Sequence, residues 1–552
     1  MTTESALEGD PEWFKKTVFY EVMVRSFRDT DSDGIGDFAG LASKVDYLQW
    51  LGVDCVWLPP FFGSPLRDGG YDVADYRNTL PELGSLDDFK SFVDGLHARG
   101  MRIIIDFVMN HTSDAHPWFQ ASRSDPDGPY GDYYVWSDTA ESYSDARIIF
   151  VDTEPSNWTF DEVRGQYFWH RFFSHQPDLN FDNPRVLEEM LDAIRFWMDF
   201  GIDGFRLDAV PYLIEREGTN CENLPGTHDA LKAVRRMVDE EYPGRILLCE
   251  ANQWPADVVE YFGDEGDECQ MAFHFPVMPR LYMALKQRDR TCISDILAAT
   301  PEIPANCQWG TFLRNHDELT LEMVSLAERD FMWAEYAPDE RMKCNIGIRR
   351  RLAPLVDNDP RRIRLLHAEL LSLPGSPVLY YGDEIGMGDN IWLNDRDGVR
   401  TPMQWTDSPA GFSDADPSSF YLPMLEGEYG PDQVNVAAQQ ADDQSMLHWL
   451  RTALTIRRTL PVFGQGTFTD LGGDNLAVLS YLREDADQSV VCVNNLTDVD
   501  QQVALDLSAF AGVAPLDLFT GVTGEAIPID GPWRSTLAPF EYRWLLVRGT
   551  PA

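Results

Sequence analysis

A chain of 552 residues that is 44% apolar and 25% charged has the composition of a soluble globular protein of two or three domains, without the run of roughly 18 apolar residues that crosses a membrane. Its 91 acidic against 45 basic residues give a net charge of −46, which disfavours nucleic acid and anionic lipid as partners and suits a neutral ligand. Solubility and adaptation to high salt are both open readings of that acidity.

In chain order, the N-terminal stretch from Met1 to Asp10 is polar and acidic and lacks the basic-then-apolar pattern of a secretion signal, so a cytoplasmic location is expected. Short apolar or β-branched runs follow at 17–24, 55–58, 102–108, 204–210, 246–250, 270–275, 310–314 and 377–381. Between them, segments 41–52, 86–100, 184–201 and 228–242 carry apolar residues at helical spacing, and several end at Gly. Eight strands alternating with helices predict an α/β fold, a closed (β/α)8 TIM barrel. The alternation stops between 110 and 180, where a stretch rich in Asp, Ser, Pro and aromatic residues is too long for an ordinary loop. It is read as an inserted subdomain, 111–179, after strand three, with most of its aromatics packing the subdomain and one or two free to stack on a ligand. The barrel is then 1–110 and 180–459. From about 460 to 552 short alternating strands such as Leu476 to Tyr481, Val490 to Val493 and Tyr542 to Val547 predict a C-terminal antiparallel β-sandwich. The eight cysteines show no CxxC pair, which argues against a disulfide framework and a zinc site.

Three segments carry the chemistry: Gly204-Phe205-Arg206-Leu207-Asp208-Ala209-Val210, Leu247-Leu248-Cys249-Glu250 and Leu313-Arg314-Asn315-His316-Asp317. Each ends an apolar run with a carboxylate, and three acids on three strand ends suggest glycosidic-bond chemistry. With Asp106-Phe107-Val108-Met109-Asn110-His111 upstream, the ordered set resembles the four signature regions of the α-amylase family of glycoside hydrolases. Retaining cleavage needs two carboxyl groups about 5 Å apart. The resemblance assigns Asp208 as nucleophile, Glu250 as general acid/base and Asp317 as stabiliser of the oxocarbenium-like transition state. Arg206 lies two residues before Asp208, on the same strand face, and is expected to keep it ionised; neighbouring negative charge favours the protonated form from which the acid starts. The resemblance further implies that His111 and His316 hold sugar hydroxyls, and that Asp72 and Arg396 grip the nonreducing end. Arg400 either joins them or braces the loop.

Asp29-Thr30-Asp31-Ser32-Asp33-Gly34-Ile35-Gly36-Asp37 spaces oxygen donors around a Gly turn, as Ca²⁺ requires. Its twelfth position is Gly40, not the Glu of an EF-hand, so the likeness is to the short calcium loop of oligosaccharide-active relatives, with Asp29, Asp31, Asp33, Ile35 and Asp37 as donors. A solvated acidic turn is the competing reading. Asn110 and Asp178 match a second family calcium site, which Tyr212, Leu213 and Glu215 could complete. Both would be structural, and no organic cofactor is expected.

The runs 209–219, 250–255 and 273–280 are similar to those of the trehalose synthase branch of the family. Those enzymes interconvert maltose and trehalose through a covalent glucosyl-enzyme, which demands a closed pocket that retains glucose and excludes water. Asn252 and Glu318 are the candidates for the second sugar subsite. The nearest alternative is an exo-acting α-glucosidase on short 1,4- or 1,6-linked glucosides, which shares every catalytic residue; a remote one is a non-catalytic amylase-like binding protein. No Arg-Leu-Asp-Arg run of the sucrose isomerases is present. Small disaccharides are the expected partners, and monomer and homo-oligomer both stay open.

Overall fold

A computed structural model describes residues 9–551; most of the N-terminal stretch read above lies outside the described residues. Eight parallel strands close into a barrel: β1 (Phe19–Glu21), β2 (Cys55–Leu58), β3 (Arg102–Val108), β4 (Gly204–Asp208), β5 (Ile246–Cys249), β6 (Met271–Phe273), β7 (Gln308–Phe312) and β8 (Ser376–Tyr380). Each pairs with its sequence neighbour, and β8 closes on β1 with Phe19 opposite Val378. All seven residues of β3 are buried, because the strand packs on helices outside and on facing strands inside; this is why it reads as an unbroken apolar run.

All eight predicted strands are present. The helix expected at 41–52 is divided at Lys44 into Phe38–Ser43 and α1 (Val45–Leu51), the latter ended by Gly52 at φ 104°. Next come α2 (Leu86–His97), with a Ser85–Asp88 capping box, and α3 (Pro184–Asp199), capped by Asn183. The fourth helix, α4 (Pro225–Glu241), starts three residues before the predicted 228, because Pro225 presets the first turn. The later barrel helices are α5 (Pro255–Val258), α6 (Val277–Gln287), α7 (Pro360–Ser372) and α8 (Met446–Arg458).

The insertion leaves the barrel after β3 and returns where His111 bridges Asp178. It holds the helix Pro117–Ser124 and a three-stranded sheet of Trp136–Ser137, Gln166–Trp169 and Trp158–Asp161. Phe119, Trp136 and Phe168 pack together, with Phe119 stacked on Trp136 at 5.5 Å.

In the C-terminal region β9 (Thr467–Asp470), β10 (Val478–Glu484), β11 (Ser489–Asn495), β12 (Gln501–Leu505), β13 (Leu516–Asp517), β14 (Trp533–Leu537) and β15 (Tyr542–Arg548) form a five-stranded sheet, β9-β10-β11-β15-β13, and a two-stranded sheet, β12-β14. Alternation along the strands divides the side chains. Val478, Val491, Val493, Leu545 and Val547 meet Val503, Leu505 and Leu537 of the smaller sheet. Leu479, Tyr481, Val490, Cys492, Trp544 and Leu546 turn to the barrel and merge with its core. No helix of the described residues is long and apolar enough to cross a membrane, and all eight cysteines are free thiols.

Candidate active site

Strand register assembles the site at the C-terminal ends of the barrel strands. Asp106 of β3 is paired with Arg206 of β4, and pairing of Cys249 with Leu207 brings Glu250, the residue after β5, level with Asp208, the last of β4. Arg206 is buried, and its Nη1 donates to Asp208 and to Asp106 at 2.6 Å each, while Nη2 lies 2.8 Å from Glu250. One guanidinium thus holds the two candidate catalytic carboxylates as neighbours, the close pairing of a retaining mechanism. Ala209, in left-handed backbone at φ 51°, donates its N–H to Glu250 Oε2 at 3.1 Å.

Burial pushes the Asp208 carboxyl well above the usual range against the pull of Arg206, with Glu250, Asp106 and Asp317 adding to the rise. Asp106 is likewise raised by burial, to about 6, although Arg206 and His316 oppose it. Arg206 therefore favours the ionised form of Asp208, as expected, while burial and the neighbouring acids oppose it, since one cation faces three carboxylates.

Asp317 lies on the loop five residues beyond β7, where Arg396 Nη1 reaches it at 2.9 Å, Arg400 Nη2 at 3.0 Å and His316 Nε2 at 3.2 Å. Burial alone would raise it, but those three cations hold it well below the usual carboxylate range. Arg400 also donates to the His316 carbonyl at 2.8 Å, so it pairs with the site as well as bracing the loop. His111 is buried, its ring pushed down to about 3 by desolvation, and its Nε2 has no partner. It lines the pocket as a neutral hydrogen-bonding group.

That pocket, about 850 Å³ with its open mouth, is lined by the three carboxylates, His111, Asn252, Glu318 and Arg396. It is also lined by residues that the motifs left unassigned: Asp68, Tyr71, Phe150, Phe172, Thr320 and Glu322. Phe150 and Phe172 come from the insertion. Asn252 Oδ1 and Glu318 Oε2 are buried without partners, and burial raises Glu318 to about 7. Asp72 does not line the pocket. It is buried beneath the loop, accepting from Ser64 Oγ at 2.9 Å and the N–H groups of Arg67 and Asp68 at 3.1 and 3.2 Å. The carboxylate of this segment that pairs with Arg396 is Asp68, 2.6 Å from Nη2. Asp68-Gly69-Gly70-Tyr71-Asp72 offers two acids, and the glycines at φ 60° and 106° turn the chain so that the first faces the mouth and the second the interior.

Residues 21–342 and 348–466 match the family model described as alpha amylase, catalytic domain. The chain belongs to the α-amylase family. Residues 468–544 match maltogenic amylase, C-terminal domain. The chain is 64% identical over 556 residues to the trehalose synthase of Pimelobacter sp. (strain R48), covering 98% of this chain and 97% of that one. It is also 64% identical over 548 residues to the trehalose synthase/amylase of Mycobacterium tuberculosis, covering 98% and 91%. Among solved structures, an α-glucosyl transfer enzyme superposes with a TM-score of 0.78 at 29% identity over 97% of this chain and 99% of that one.

Two oxygen-rich clusters of this α-amylase-family chain lie outside the pocket chemistry. Asp29, Asp31 and Asp37 bring carboxylate oxygens within 4.8 Å of one another. Asp33 is exposed and outside that group, its carboxylate taking the Ile35 N–H at 2.8 Å. Under the insertion, Asn110 Oδ1, Asp178 Oδ2 and Glu215 Oε1 are buried acceptors without partners. Burial pushes Asp178 up to about 8 and raises Glu215, on which Asp178 also presses. Buried carboxylates that each keep one oxygen without a partner fit a divalent cation.

Proposed function

We propose that this chain interconverts maltose and trehalose by retaining double displacement. The observation that carries the reading is the pocket itself: Asp208 and Glu250 share one guanidinium, the Asp68–Arg396 pair closes the nonreducing side, and residues of the insertion cover the rest. Its near full-length identity to trehalose synthases supports the same activity. Asp208 attacks the anomeric carbon of the nonreducing glucose while Glu250 gives its proton to the glycosidic oxygen, releasing glucose. That glucose turns within the pocket, held by Asn252, Glu318 and Thr320. Glu250 then takes the proton of its anomeric hydroxyl, whose oxygen attacks the glucosyl-enzyme and frees Asp208. The product is α,α-1,1-linked, with no water consumed. Asp317, pinned by Arg396 and Arg400, accepts from sugar hydroxyls as positive charge develops on the ring.

A hydrolytic α-glucosidase would use the same carboxylates with water in place of glucose. Arg147 of the insertion, ion-paired with Glu322 and within 3.3 Å of the Tyr212 hydroxyl, covers that side of the pocket and favours the isomerase. Run in ¹⁸O-enriched water, the isomerase reading expects trehalose without label and label only in a minor glucose product; label in most of the product would make the enzyme a hydrolase.

Calcium is proposed at both oxygen-rich clusters as a structural ion. The buried, partnerless acceptors of Asn110, Asp178 and Glu215, with the carbonyls of Tyr212 and Leu213 on the same loop, support the second; the convergence of Asp29, Asp31 and Asp37 supports the first, with Asp33 and the Ile35 carbonyl completing it. Eight unpaired thiols support a reducing compartment, the cytoplasm.

A further inference from the structure

Glu21, the last residue of β1, is fully buried behind His316. Among the described residues it forms one ion pair, from Oε1 to His316 Nδ1, and the same oxygen takes the His316 backbone N–H at 3.4 Å; Oε2 has no partner. A buried carboxylate held by a single partner stays ionised only if that partner is a cation.

The other ring nitrogen gives the same answer by proton accounting. The Tyr71 hydroxyl lies 2.5 Å from Asp106 Oδ2 and 2.7 Å from His316 Nε2. It has one proton to give, and the ionised Asp106 can only accept. The Tyr71 oxygen is then an acceptor, taking Arg206 Nη1 at 3.3 Å, and Nε2 must carry a proton to satisfy both Tyr71 and Asp317 Oδ2 at 3.2 Å. With both nitrogens donating, His316 is an imidazolium. Its surroundings agree: Tyr71 stacks on it at 5.4 Å, and Trp57 meets it edge-on at 5.9 Å. The charged neighbours are Glu21, Asp106 and Asp317 against Arg206 and Arg400, with Tyr380 and Asp383 beside Glu21. Burial favours the neutral ring, but Asp317 and Glu21 lift it to about 9.

We propose that Glu21 is a positioning residue for the glycosyl chemistry: from behind the ring it holds His316 as a doubly donating imidazolium aimed at Asp317. Asp317 is thereby kept ionised and oriented to accept sugar hydroxyls. The inference deepens the proposed function and rests on it for the role of Asp317, but the link between Glu21 and His316 can be read without turnover.

The test uses full-length protein with labelled histidine, the His316 signal assigned with a His316→Asn variant. The unmodified protein should keep His316 charged through pH 8, whereas in Glu21→Gln the ring should titrate about two pH units lower. In parallel, kcat/KM of Glu21→Gln on maltose should be within about threefold of the unmodified enzyme at pH 5.5 and fall by more than about tenfold at pH 8. Glu21→Asp, which keeps the charge, should recover part of that loss. Identical titration curves, or parallel pH–rate profiles, would overturn the proposal. If maltose is not isomerised, the rate comparison moves to hydrolysis of an aryl α-glucoside, so failure of the function reading is seen separately from failure of the Glu21–His316 link.

Discussion

The guanidinium of Arg147, carried by the inserted subdomain, lies 2.8 Å from the carboxylate of Glu322 on the loop after β7. The same guanidinium reaches Glu222 at 2.9 Å and the Tyr212 hydroxyl at 3.3 Å, and Tyr212 and Glu322 line the pocket. Insertion and barrel are thus tied across the side where released glucose must stay. Arg147→Ala should raise the glucose share of the products from maltose several-fold while total consumption falls less than about tenfold, since water then competes for the glucosyl-enzyme. An unchanged glucose-to-trehalose ratio would remove Arg147 from the cover.

Asp68 and Asp72 separate function from folding. Asp68→Asn breaks the pair with Arg396 at the nonreducing end and should cost kcat/KM on maltose roughly 10²-fold with little change in Tm. Asp72→Ala leaves one side-chain and two backbone donors without their acceptor, and should lower Tm by several degrees. Equal effects of both substitutions on kcat/KM and Tm would contradict this division.

Glu369, on α7, is buried with neither carboxylate oxygen partnered, and burial pushes it up to about 8. Its folded value lies above its unfolded one, so its burial is tolerated best at low pH, and stability is lost as pH rises from about 4.5 towards 8. Glu369→Gln should match the unmodified protein in Tm at pH 5 and exceed it by a few degrees at pH 8. Thermal unfolding at the two pH values reads the difference directly; a constant offset would mean that no proton is taken up there.

Chelation of divalent cations should lower Tm by several degrees, reversed by Ca²⁺ and poorly by Mg²⁺, which demands tighter octahedral geometry. Asp178→Ala should remove most of that response. A chelator-insensitive Tm with no bound metal by elemental analysis would make both clusters acidic turns.

The barrel was legible because parallel strands buried on both faces must be continuously apolar, as Arg102–Val108 shows, and because Gly and Pro punctuate helices, as at Gly52 and Pro225. The convergence of Asp208, Glu250 and Asp317 was legible because each lies at or shortly after the end of such a strand. The choice between Asp68 and Asp72 was not, since two left-handed glycines between them set which acid faces the mouth. Nor were Glu322, Arg147 and Glu21 legible: their roles arise from contacts across 175 positions between Arg147 and Glu322, and 295 between Glu21 and His316. No local pattern encodes such pairings. The upward shift of Asp208 is likewise a property of the assembled site, where burial and three neighbouring acids oppose Arg206.

The most direct test follows the anomeric protons of maltose by NMR with the purified chain, and then repeats the run from trehalose. The account predicts that both runs converge on one mixture of maltose and trehalose with glucose as a minor product, and that Asp208→Asn leaves either sugar unchanged. Glucose as the main product from maltose, with trehalose untouched, would contradict it.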